Sequence, residues 1–188
     1  MTQPLRDAGC TDMVKLTCYR TGRYDVTAHM LLRCKDVNDR ALFDFLAADL
    51  TLPAFRAMQA VDADVRRTVV TCVPRSRRAT RKIGHDHAKK LAEALGARLE
   101  IPCRDLIYRR AQGTEQKELS ADERLENAAH SFALRRKADV WGKTVLLVDD
   151  ICTTGATLAH CTKLLLEGGA ERVIGVCVAQ SKYEKQTE

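Results

Sequence analysis

The sequence predicts an α/β protein with a mostly parallel sheet flanked by helices. Three observations carry that reading. Near-continuous apolar, β-branched runs, "TVVTCV" at 68–73, "KTVLLV" at 143–148 and "RVIGVCVAQ" at 172–180, have the composition of strands covered on both faces. Helix-period stretches, "HDHAKKLAEALG" at 85–96 and "TGATLAHCTKLLLEGG" at 154–169, lie between and beside them. Alternation of buried strands with helices favours parallel pairing through crossovers.

Bulk composition narrows the function classes. A chain of 188 residues, 45% hydrophobic and 30% charged, has the length and composition of one globular domain. No run approaches the eighteen or so apolar residues of a membrane span, and "MTQPLRDAGC" lacks a basic head before an apolar stretch, so the expected location is cytoplasmic. A net charge of +6 points to an anionic partner. The arginines are spread over several segments and aromatic residues are few, which favours a local anion site over a nucleic-acid stripe. Eight cysteines without Cys-x-x-Cys spacing read as buried free thiols.

In chain order, the first dozen residues are polar and are expected to fray. "MVKLTCYRTGRYDV" reads as two short strands about a turn at Thr21 and Gly22. In "DRALFDFLAADL", Leu42, Leu46 and Leu50 share a helix face and Asp39 is the candidate N-cap. The 85–96 helix buries Ala88, Leu91, Ala92 and Leu95, with Gly96 as its stop. "DLIYRR" is a weak strand, and "AQGTEQKELS" a polar loop. "SADERLENAAHSF" opens with Ser120 and Glu123 at capping-box spacing. The last helix turns Leu158, Leu165 and Leu166 inward and ends at Gly-Gly. The expected division is residues 1–66 as an N-terminal hood-like segment and 67–188 as the core.

Chemistry concentrates in "TVLLVDDICTTGATL" at 144–158. The strand is expected to end at about Val148, and open parallel sheets bind ligands beyond the carboxyl ends of their strands. Asp149 and Asp150 stand there. On an extended chain adjacent carboxylates point to different sides, and carboxylates accept well from vicinal hydroxyls. Thr153, Thr154, Gly155, Ala156 and Thr157 then form a turn opening a helix, where free N–H groups and the dipole favour an anion. Acceptors for a diol followed by an anion cradle describe a ribose 5-phosphate site. Capping alone would explain one threonine, not this whole pattern. Neither a P-loop nor a Gly-x-Gly-x-x-Gly motif is present.

"VLLVDDICTTGAT" resembles the thirteen-residue phosphoribosyl-pyrophosphate (PRPP) motif of type I phosphoribosyltransferases almost position for position. That resemblance implies ribose contacts from Asp149 and Asp150 and 5-phosphate contacts from Thr153, Thr154, Gly155, Ala156 and Thr157. Over about residues 68–180 the chain is similar to the ComF-like branch, named for natural-competence proteins. The supporting stretches are the Val-Pro at 73–74, a partly departing "IGHDHA" at 83–88, "RAQGTEQ" at 110–116 and "RLEN" at 124–127. The four-cysteine zinc finger common before the core in that branch has no counterpart in the sequence.

The resemblance makes the segment after the first buried strand a pyrophosphate loop, with Arg75, Ser76 and Arg77 as candidates; guanidinium forks suit pyrophosphate oxygens. It makes 109–117 a flexible catalytic loop, with Arg109, Arg110 and Gln116 as candidates and Arg124 and Asn127 on one helix face beside it. The ordinary alternatives are a solvated basic turn, a polar surface loop and a helix-surface pair. His85 and His87 lie at a helix start and not on one metal-binding face; His130 and His160 read as incidental. Mg²⁺ would arrive with PRPP, with no direct protein ligand. The expected reaction is transfer of the 5-phosphoribosyl group to a nitrogen acceptor that the sequence does not name, the hood being residues 13–65. A non-catalytic PRPP-binding regulator and a DNA-uptake accessory protein stay open as alternatives, and a homodimer is the common family state.

Overall fold

The computed structural model describes residues 1–20, 39–75, 80–81, 84–110 and 131–182. Its elements in chain order are α1 (Gln3–Asp7), β1 (Asp12–Arg20), α2 (Arg40–Ala60), a 3₁₀ turn (Val65–Arg67), β2 (Thr68–Cys72), α3 (His87–Leu99), β3 (Ile107–Arg109), β4 (Phe132–Leu134), β5 (Thr144–Cys152), α4 (Ala156–Glu167) and β6 (Arg172–Lys182). The main sheet has the order β1-β6-β5-β2 and every pair in it is parallel. A small antiparallel pair, β3 with β4, stands apart from it. Residues 102–104 run beside β2 as a further edge, through Val70 N–H to the Pro102 carbonyl (3.0 Å) and Arg104 N–H to the Val70 carbonyl (2.8 Å).

The period of two along β5 builds the two cores. Leu146 and Val148 join Val70, Cys72, Ile174 and Val176 under α2 and α3. Val145 and Leu147 join Val69, Val173 and Cys177 on the opposite face, under α1, α4 and the β3–β4 pair. Because both faces are covered, the strands are apolar without alternation, which is why they were legible as buried runs. All five residues of β2 are buried.

Most expected elements stand where the sequence placed them. Asp39 caps α2, its carboxylate accepting the Ala41 N–H at 2.9 Å. Leu46 and Leu50 are buried and Leu42 packs against the same core. The helix continues through Pro53 to Ala60, well past the apolar spacing that announced it. Gly168 caps α4, as expected of the Gly-Gly stop.

Four expectations are corrected. Residues 3–7 do not fray: they form α1 and bury Leu5 completely. Gly96 is no stop, because α3 runs on to Leu99 and its cap is Glu100 at φ 57°. A Cβ at Gly96 would come within 2.8 Å of the Ile101 carbonyl oxygen, so the glycine admits the returning chain. Phe132, expected at a helix end, lies in β4. The strand of residues 144–148 continues to Cys152. The turn at Thr21 and Gly22, and the helix expected from the Ser120–Glu123 box, lie outside the described residues.

Residues 1–66 supply the edge strand β1 and the helix α2. β1 pairs with β6 from Asp12 opposite Ile174 to Arg20 opposite Lys182. Among the described residues no helix is long and apolar enough to cross a membrane.

Candidate functional site

The sheet order creates the site. From β2 the chain crosses over one face through α3 to the edge at 102–104. From β5 it crosses the opposite face through α4 to β6. The two connections leave neighbouring strands in opposite directions, and a crevice opens between them at the carboxyl ends, the position at which open parallel sheets bind ligands. A cavity of about 380 Å³ lies there. Its wall includes Pro74, Arg75, Asp86, Arg109, Phe132, Asp149, Asp150, Ala156, Thr157 and His160.

β5 outruns β2 at this end. The pairing of the two strands closes at Cys72 opposite Val148, with Val73 N–H donating to the Val148 carbonyl at 2.9 Å. Residues 149–152 pair only with β6, so the two aspartates line the cleft while still held in a strand. Alternation sends them to opposite faces, as the sequence implied. Asp150 faces α3: its Oδ2 lies 3.7 Å from Arg75 Nη2 and 3.8 Å from His87 Nδ1. Asp149 belongs to the α4 side. Its Oδ1 accepts the Asp150 N–H at 2.9 Å, and Asp150 Oδ1 accepts the Ile151 N–H at 2.8 Å. Burial, and secondarily the charge of Asp150, push the Asp149 carboxyl well above the ordinary carboxylate range.

Arg75 begins the loop after β2. Its N–H donates to Asp86 Oδ2 at 3.3 Å, while Asp86 Oδ1 accepts the Lys89 N–H at 3.3 Å as the cap of α3. One carboxylate thus ties the loop to the helix start. Arg75 Nη1 is buried and has no hydrogen-bond partner among the described residues, leaving a donor beside the cavity. At the helix start His85 and His87 meet edge to face, 4.5 Å between centroids. Among the described residues no group of three or more His, Cys, Asp and Glu side chains is placed to hold a metal. Two carboxylates at the cleft suit a hydrated Mg²⁺ that comes with an anionic ligand.

On the opposite wall the turn at 153–155 leads into α4. Gly155 is its N-cap at φ 84°, a conformation that favours glycine, and Ala156 N–H donates to Thr154 Oγ1 at 3.3 Å. Thr153, Thr154, Ala156 and Thr157 are exposed, and Ala156 and Thr157 line the cavity.

The cleft therefore brings together Arg75, Arg109, Asp149, Asp150, Ala156 and Thr157 from among the residues singled out in the sequence. Arg109 is the last residue of β3, its guanidinium 5.4 Å from the centre of the Phe132 ring. Arg110 follows with its N–H on the Ser131 carbonyl (2.7 Å) and an exposed side chain, so only one of the two arginines lines the cavity. Ser76, Arg77, Gln116, Arg124 and Asn127 lie outside the described residues. Sequence reasoning gave no site role to Asp86, His87 or His160: Asp86 and His160 line the cavity and His87 Nδ1 stands 3.8 Å from Asp150 Oδ2, whereas the 85–87 stretch reads in sequence as a helix start. The spacing signal for His160 was available, since it stands one turn after Ala156 and Thr157 on α4.

Comparison with known proteins agrees with this geometry. A family model described as a phosphoribosyl transferase domain matches residues 84–188, more than half of the chain. Competence protein F of Haemophilus influenzae is 37% identical over 92 residues, covering 48% of this chain and 40% of that protein. A ribose-phosphate pyrophosphokinase of Marinomonas sp. is 43% identical over 56 residues, covering 30% of this chain and 18% of that one. The chain thus spans well under half the length of these two curated relatives. Among solved structures, one described as the allosteric regulatory enzyme of purine biosynthesis aligns with a TM-score of 0.50 at 22% identity. It covers 80% of this chain and 30% of that one, a likeness of fold. Alongside the switch-point cleft and its paired acids, the family match assigns the chain to the phosphoribosyl transferase domain family, with Competence protein F among the proteins it is similar to.

Proposed function

We propose that the chain is a phosphoribosyltransferase that binds Mg²⁺–PRPP in the cleft between β2 and β5 and transfers the 5-phosphoribosyl group to a nitrogen acceptor. The observation that supports this most is that Asp149 and Asp150 face, across one cavity of about 380 Å³, both the amino end of α4 and Arg75. In this reading Asp149 and Asp150 accept from the ribose hydroxyls. The amides of residues 155–157, with Thr153, Thr154 and Thr157, take the 5-phosphate. Arg75, with Ser76 and Arg77, takes the pyrophosphate. Arg109 lines the cavity, and Arg110, Gln116, Arg124 and Asn127 are the further residues proposed to serve the bound PRPP.

The bond from ribose C1 to the pyrophosphate oxygen breaks, the acceptor nitrogen bonds to C1, and that nitrogen gives up a proton. When bound with PRPP, Mg²⁺ neutralises charge on the leaving pyrophosphate. The carboxylates of Asp149 and Asp150 stabilise positive charge building on the ribose, and Arg75 and Arg109 stabilise the departing anion. Residues 13–65 are the proposed hood over the acceptor, and a second copy of the chain the proposed partner. Pyrophosphate release, measured with Mg²⁺–PRPP and a panel of purines, pyrimidines and simple amines, tests the reading. Release that depends on one acceptor class supports transfer. Binding without release for every acceptor would mark a PRPP-responsive regulator instead. The name of the Haemophilus influenzae relative favours a second reading, a DNA-uptake accessory, which predicts salt-dependent DNA affinity.

A further inference from the structure

We infer that α1 is the rear support of the phosphate-binding turn, with Leu5 and Thr2 as positioning residues for the amides of residues 155–157. The inference rests on the phosphoribosyl reading of the cleft and assigns to it a segment far away in sequence.

An anion cradle made of backbone amides works only while the backbone holds its direction. Here the direction is set at Gly155, whose φ of 84° turns the chain into α4. One side of the turn is open: Thr153, Thr154, Ala156 and Thr157 are exposed there. The other side is filled by α1. A Cβ built on Gly155 would overlap Thr2 Oγ1 and stand 3.3 Å from Leu5 Cδ1, so these two side chains lie directly against the glycine backbone. Leu5 is 0% exposed and shares one apolar cluster with Cys152 and Leu158, the residues on either side of the turn. Thr2 Oγ1 is buried and has no hydrogen-bond partner among the described residues, so the hydroxyl is held at the glycine by packing.

The support is itself anchored. Cys10 N–H closes α1 onto the Leu5 carbonyl at 3.0 Å, and Thr11 N–H donates to the Val173 carbonyl at 2.8 Å. From Asp12 the chain is in the sheet beside β6. α1 therefore hangs from the same sheet that carries Asp149 and Asp150, and its packing fixes the turn relative to those acids. Among the described residues, the contacts of Thr2 and Leu5 at the cleft are with Gly155 and not with Arg75, so the proposed pyrophosphate end serves as the control.

Calorimetric titration of the full chain with ribose 5-phosphate and, separately, with Mg²⁺–pyrophosphate tests the inference. Leu5→Ala is expected to weaken ribose 5-phosphate about tenfold, less than the roughly hundredfold that a misplacement of about 1 Å can cost, and to leave pyrophosphate within about twofold. Leu5→Met, which keeps the volume, is expected to restore ribose 5-phosphate binding. Should Leu5→Ala not fold, Thr2→Ala, at a partly exposed position, carries the same comparison with a smaller loss. Equal weakening of both ligands would mean general destabilisation and overturn the inference. Wild-type ribose 5-phosphate affinity in Leu5→Ala and Thr2→Ala would overturn it while leaving the site reading intact. Failure of the wild-type chain to bind either ligand would overturn the site reading, and the inference with it.

Discussion

Asp149 lies in β5 just past its pairing with β2, its carboxyl desolvated and the charge of Asp150 beside it, and both push its proton affinity up. In the unfolded chain an aspartate ionises near 3.9. The folded protein holds the proton to higher pH. Between those two values the folded state binds more protons than the unfolded one, so stability falls as pH rises. Each tenfold gain in proton affinity corresponds to about 1.4 kcal/mol lost once the group is ionised in both states. Asp149→Asn removes the charge and keeps the shape. One such increment recovered would raise the melting temperature by about 3–6 °C in a domain of this size. Thermal melts at pH 7.5 and pH 4, wild type beside variant, read the effect. The variant should melt higher at pH 7.5, and the gap should close towards pH 4, where the wild-type carboxyl is protonated in the folded state. The same variant should bind Mg²⁺–PRPP at least tenfold more weakly, having exchanged a charged acceptor for a neutral one. A lower melting temperature at pH 7.5, or a gap unchanged at pH 4, would refute the electrostatic account. The pattern would be that of a binding site maintained at a cost to stability.

Other perturbations separate the parts of the cleft. Gly155→Ala, at φ 84° and against Thr2 and Leu5, should destabilise the chain by about 1–3 kcal/mol and reduce ribose 5-phosphate affinity; a neutral result would mean the turn is not strained by a side chain. Arg75→Ala should weaken Mg²⁺–pyrophosphate about tenfold or more, the range for hydrogen bonds to charged groups, and unchanged affinity would remove it from the pyrophosphate wall. Burial pushes the Cys152 thiol up to about 11 and those of Cys161 and Cys177 higher still. Brief alkylation of the native chain at pH 8 should therefore leave all three unmodified by mass spectrometry, and modification of native Cys152 would contradict its inert placement.

The elements that could be read from sequence are those whose physics is local. β5 and β2 were legible because strands covered on both faces admit only apolar residues, and α3 and α4 because their inward faces repeat at helical spacing. The placement of the acids at the cleft and of the threonine turn at a helix start was legible because an apolar strand runs into them and a helix-period stretch follows. What was missed depends on the far side of a contact. Nothing in "QPLRD" announces that Leu5 fills the back of a turn 150 residues later. Gly96 reads as a helix stop until the Ile101 carbonyl is seen against it. The end of β5 was placed four residues early, because Asp149 and Asp150 look like a boundary, while pairing with β6 carries the strand to Cys152. His87 reads in sequence as a poor metal ligand, and only the fold sets its Nδ1 3.8 Å from Asp150 Oδ2 at the cleft.

The most direct test of the account is calorimetric titration of Mg²⁺–PRPP into the wild-type chain and into Asp149→Asn/Asp150→Asn. The account predicts saturable binding by the wild type and none by the double variant at the same concentrations. Equal binding by both would contradict the assignment of the paired acids to the ribose, and binding by neither would contradict a PRPP site in this cleft.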